Sequence, residues 1–173
     1  MSLSSFFRLP DDKVAFYSPQ TPLFGKEVHE AFPSAVINVE EAGKCYAVGR
    51  YTACVFHLQG VMQSGLNALA ETFGIKPSEN RTWDAVLKKI DPELRKGFLE
   101  RRDLFKTDEQ FCAESAALLR AVKIAWRNPT MHVENIYDQE KALDVFNAVK
   151  GFMRHLARHI SEKPKNQGIS KDA

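Results

Sequence analysis

Between Tyr51 and Phe73 the apolar residues Tyr51, Val55, Leu58, Met62, Leu66, Leu69 and Phe73 recur at steps of three and four. That spacing lines one face of an α-helix, and so long an apolar face must be covered by other elements. A similar run, Ala142, Val145, Val149, Phe152, Leu156 and Ile160, follows Asp138. A third, Phe111, Ser115, Leu118, Val122 and Ala125, lies within "TDEQFCAESAALLRAVKIAWRN". No alternating apolar–polar stretch is long enough to specify a strand. The chain is therefore expected to be all-α, an antiparallel bundle of about five or six helices.

Local signals set the boundaries. Residues 1–37 hold Pro10, Pro19, Pro22 and Pro33, half of the eight prolines, so this arm is expected to be extended or irregular. Its aromatic residues Phe6, Phe7, Phe16, Tyr17 and Phe24 are available to pack on the bundle. The bundle itself is placed at 38–162. "NVEE" has the form of a capping box, with Asn38 as N-cap and Glu41 at N3 of a helix reaching about Val48. Gly74 and Pro77 end the long helix. Thr82 caps a short helix in "RTWDAVLKKI". "DPELRKGFLERRD" reads as another, with Pro92 in its first turn. Thr107 or Asp108 caps the next helix, and Asp138 opens the last. The polar residues 163–173 are expected to be a disordered tail.

With 173 residues the chain is long enough for one domain with a real core. A formal net charge of +2 neither demands nor excludes a nucleic acid, because binding depends on local patches. Cys45, Cys54 and Cys112 form no C-x-x-C pair, which argues against zinc and for buried, reduced thiols in a cytoplasmic protein. The first residues lack the pattern of a secretory signal, and no apolar run is long enough to span a membrane.

The residues that do not fit a plain bundle are "RNPTMH", 127–132, between two helical runs. On a continuous helix Arg127 and His132 point about 140° apart. Pro129 has no N–H and disfavours helix at Asn128, so the helix should stop there and let His132 swing back beside Arg127. A plainer reading also accounts for these residues: an arginine complements the negative end of a helix dipole, and Asn-Pro is a turn dipeptide.

"RNPTMH" is similar to the Arg-polar-x3-His signature of HEPN domains (higher eukaryotes and prokaryotes nucleotide-binding). The context is similar too: a long helix ends in "WRN", and a capped helix follows from "YDQEKA". Upstream, "EEAGKCYAVGRYTACVFHL" resembles a bacterial HEPN-like family, and the likeness covers about residues 20–160. Many HEPN domains are metal-independent ribonucleases, often toxins or defence effectors, working as homodimers and in some cases held by an antitoxin protein. The resemblance implies that His132 is the general acid or base, that Arg127 holds the phosphate, and that Asn128 orients the site. It implies RNA or a nucleotide as ligand, with no metal and no cofactor. Other HEPN domains only bind nucleotides or proteins. Some toxins of this class carry a modifiable tyrosine two positions after the histidine; here that position is Glu134, and the next tyrosine is Tyr137.

Lys150, Arg154 and Arg158 recur every fourth residue on the last helix, a stripe suited either to an RNA backbone or simply to solvent. His155 and His159 have the i, i+4 spacing of metal ligands but no acidic or cysteine neighbour in sequence. His57, beside the apolar stripe of the long helix, is expected to be buried and hydrogen-bonded to a neighbour. Trp126 is expected to pack beneath the helix end.

Overall fold

The computed structural model describes residues 8–76, 82–95, 109–122 and 136–162. Among them are seven α-helices and no strand: α1 (Asp11–Tyr17), α2 (Lys26–Ala31), α3 (Val36–Ala47), α4 (Tyr51–Thr72), α5 (Trp83–Arg95), α6 (Glu109–Val122) and α7 (Gln139–Ala157). A 3-10 turn, Pro33–Ala35, leads into α3. The protein is an all-α helical bundle.

The core forms where the periodic stripes meet. Val55, Leu58, Met62, Leu66, Leu69 and Phe73 of α4 are buried, as are Ala142, Val145, Val149, Phe152, Leu156 and Ile160 in and just after α7. Cys54, Val61, Ala68 and Ala70 are buried too, so α4 is covered over a wider arc than its stripe and sits centrally. Among the described side chains of α6, Phe111, Ser115 and Leu119 are buried, while Leu118 is part-exposed. The stripe thus turns one residue away from the expected Leu118.

The helices do not all alternate in direction. α3 and α4 form an antiparallel hairpin, with Asn38 opposite His57 across a turn at Val48–Arg50. Gly49 closes α3 with φ near +73°, and the Arg50 N–H donates to the Cys45 carbonyl at 2.8 Å. This is a Schellman ending, for which a left-handed glycine is favoured. α6 runs antiparallel to α7, since Phe111 meets His155 and His159 while Ser115 meets His155. α4 and α7, however, run in the same sense: Tyr51 bonds Gln139 near both starts, and Gly65 meets Phe152 and Met153 further along both. Parallel neighbours require the chain to travel back between them, and α6 makes that return.

The arm, expected to be irregular, carries α1, α2 and the 3-10 turn. It packs through aromatic residues: Phe16 lies 4.7 Å from Tyr46, and Phe24 lies 5.2 Å from Phe146. Phe6, Phe7 and the tail at 163–173 lie outside the described residues.

Two caps form as the local signals require. Thr82 Oγ1 accepts from the Ala85 N–H, and Asp138 Oδ1 accepts from the Lys141 N–H. The capping box at Asn38 does not form. The 3-10 turn runs straight into α3, so the helix starts at Val36 and Asn38 lies inside it. The two helices expected around Pro92 are one helix, α5, with Pro92 in its interior. Thr107, Asp108 and Pro77 lie outside the described residues.

Candidate functional site

Arg127, Asn128 and His132, with Trp126, Pro129 and Glu134, lie outside the described residues. The structure describes what flanks them. α6 precedes them, and Ile136, which follows them, is 84% exposed. Tyr137 is buried, and its N–H donates to Thr52 Oγ1 at 3.1 Å. Asp138 then caps α7, and the adjoining Gln139 Oε1 accepts from Tyr51 Oη at 2.9 Å. Residues 137–139, at the start of α7, are therefore tied to the first turn of α4.

The basic stripe is only partly free. Arg154 Nε donates to Glu27 Oε1 of α2 at 2.8 Å. The Glu27 carboxyl is held below its usual range by a backbone N–H, then by Arg154, with Lys150 adding a smaller pull in the same direction. Lys150 and Arg154 thus face an acid from the arm, whereas Arg158, exposed at the end of α7, pairs with no acid among the described residues. The sequence gives no hint of Glu27, because the pairing spans the length of the chain.

Beside the stripe, His155 serves packing. Its ring stacks on Phe111 with centroids 4.9 Å apart, its Nε2 lies 3.2 Å from Ser115 Oγ, and its Nδ1 lies 3.7 Å from Glu114 Oε2. A serine, a histidine and a glutamate in that order resemble a hydrolase triad. Ser115, however, is fully buried, so no substrate can reach its hydroxyl. The cluster fastens α6 to α7. His159 also lies against Phe111, and no group of three metal-ligating residues exists among the described residues. His57 bonds Asn38 Oδ1 through Nδ1 at 3.1 Å, as expected, but it is half-buried rather than buried.

One feature escaped sequence reasoning. Lys13 is 6% exposed, and its ammonium lies 3.7 Å from the centre of the Tyr46 ring. On α1 it reads as an ordinary surface lysine; only the packing of α1 on α3 supplies the aromatic face that offsets its desolvation.

Comparison with family models, with curated proteins and with solved structures gives no match. No helix among the described residues is long and apolar enough to cross a membrane.

Proposed function

We propose that the protein is a HEPN-type endoribonuclease, acting as a homodimer without a metal ion, with Arg127 and His132 at its site. The observation that carries the reading is "RNPTMH" standing between α6 and α7, two helices packed together through Phe111, Ser115 and His155 in an all-α bundle. His132 takes the proton from a ribose 2′-OH as that oxygen attacks the adjacent phosphorus, or returns a proton to the departing 5′-oxygen. Arg127 binds the phosphate with its planar fork of donors and offsets the charge that grows there. Asn128 orients the pair. The P–O5′ bond breaks, leaving a 2′,3′-cyclic phosphate and a 5′-hydroxyl. Lys150, Arg154 and Arg158 track the RNA backbone, with Arg158 contributing most because Glu27 engages Arg154. In the cell such an enzyme is a toxin or defence effector, with an antitoxin protein as partner.

The test is cleavage of a mixed RNA pool in EDTA by wild type, His132→Ala and Arg127→Ala. Cleavage by wild type, with a loss of at least roughly 100-fold in each folded variant, is the expected outcome. Absence of cleavage by the purified wild-type dimer across varied RNAs overturns the enzyme. The pairing of Arg154 with Glu27, which mutes the basic stripe, favours the second reading in that event: a non-catalytic nucleotide- or protein-binding module.

A further inference from the structure

Most of α3 is spoken for. Val39, Ala42, Tyr46 and Ala47 enter the core, and Asn38 meets His57 of α4. Glu40 lines a cavity of about 180 Å³ beneath the stretch from Pro19 to Gly25, between α3 and α2. What remains is a stripe of four residues at steps of four, three and four: Ile37, Glu41, Lys44 and Val48. That spacing puts them on one side of the helix over about three turns, and it is the spacing by which helices pair. Ile37 is 73% exposed and Val48 38%, although both are large and apolar. Between them, Lys44 and Glu41 pair at 2.7 Å, with their side chains 43% and 41% exposed. On the adjoining helix Phe56 is 65% exposed, and its neighbour His57 bonds Asn38, so Phe56 stands level with the stripe.

The order of the stripe narrows the choice of partner. It reads apolar, acid, base, apolar. Laid antiparallel on itself about a two-fold axis between Ala42 and Gly43, it sets Ile37 opposite Val48 of a second copy and Glu41 opposite Lys44. Each apolar residue then meets an apolar one and each charge meets its opposite. A parallel pairing would instead set Glu41 against Glu41. A two-fold contact requires a patch that complements itself, and this stripe does so in one register. The adjoining surface adds no charge to oppose it, because α4 carries no Asp, Glu, Lys or Arg from Tyr51 to Ala70. Few charges and an exposed aromatic residue are marks of an interface.

We propose that the protein self-associates through α3, which pairs antiparallel with α3 of a second copy along Ile37, Glu41, Lys44 and Val48, with Phe56 of each copy flanking the contact. The ion pair within each copy becomes part of a set of four alternating charges across the axis. The nuclease reading calls for a homodimer but names no surface for it. This surface follows from the stripe alone, and a dimer built on it need not cut RNA.

The experiment is sedimentation equilibrium of the full chain over a range of concentrations, for wild type and three charge variants. Wild type is expected to dimerise. Glu41→Lys and Lys44→Glu should each weaken the dimer by at least roughly tenfold, since each sets like charges against one another twice across the axis. Mixed in equal amounts, these two variants should pair with each other, because lysines at 41 and 44 of one chain then face glutamates at 44 and 41 of the other. The double variant Glu41→Lys/Lys44→Glu reverses the pattern without breaking it and should dimerise as wild type does. Mixing changes nothing within either chain, so recovery on mixing cannot come from the ion pair inside each helix. A wild type that stays monomeric, a dimer that both single reversals leave intact, or single variants that fail to pair when mixed would each overturn the proposal. RNA cleavage is read separately: a dimer indifferent to the reversals that still cuts RNA sinks this surface alone, and a dimer made through α3 that cuts none sinks the nuclease alone.

Discussion

Asn38 has two suitors. In "NVEE" it has the form of an N-cap, and the local rule is sound. In the folded chain its amide meets His57 across the hairpin, and the cap position passes to Ala35. A side chain with several hydrogen-bonding groups goes where the whole set of contacts is best, and the hairpin supplies a partner that the sequence neighbourhood does not show. Cys54 is the opposite case, since the widely spaced cysteines are expected to be buried, reduced thiols and Cys54 is buried. Burial pushes its thiol up to about 12, with Cys45 adding to the shift. The unfolded thiol titrates near ~8.5. Between these values the folded chain keeps a proton that the unfolded chain loses, so this residue makes stability fall as pH rises through that window. Urea midpoints measured from about pH 8 to about pH 11 should decline more steeply for wild type than for Cys54→Ala. Parallel curves would show that the thiol is not held protonated by the fold.

At the scale of the element, the stripes on α4 and α7 were legible because a period of 3.6 leaves a plain trace in the order of apolar residues. Their relative direction was not. A stripe states which face is buried and says nothing of which way a neighbour runs. The two helices approach closely at Gly65, where an added Cβ would come within 2.9 Å of Met153 Sδ and 3.0 Å of Leu156 Cδ1. Gly65→Ala should therefore cost about 1–3 kcal/mol by overpacking, even though alanine is the better helix former. Chemical denaturation checks this, and a more stable variant would mean that the two helices have room to spare. The continuity of α5 through Pro92 and the turn of the α6 stripe toward Leu119 were missed for a related reason. Both depend on what packs against the helix, and tertiary packing overrides local preference.

Across the whole molecule, one contact joins regions far apart in sequence. Ser34 donates both its N–H and its hydroxyl to the Glu162 carboxylate, its hydroxyl also meets Ser64 Oγ at 2.9 Å, and the Glu162 N–H donates to the Ala31 carbonyl. The chain after α7 is thereby fastened to the turn that starts α3. Ser34→Ala and Glu162→Gln should each destabilise by about 1–2 kcal/mol, and the double variant should lose less than the sum. Strict additivity in a double-mutant cycle would show that the two side chains act independently. The candidate site was legible only as a likeness carried by Arg127, Asn128 and His132, whereas Glu27, which engages the basic stripe, left no trace.

By itself the sequence determined that the chain is helical, which faces of α4 and α7 are buried, and where Thr82 and Asp138 begin helices. Those follow from spacing and from hydrogen bonds closed within a few residues. Only the tertiary structure decided that α4 and α7 run in parallel, that Lys13 lies over Tyr46, that Arg154 is held by Glu27 and that a cavity opens beneath residues 19–25. Each of these rests on groups distant in sequence whose meeting depends on packing, and packing leaves no period to read.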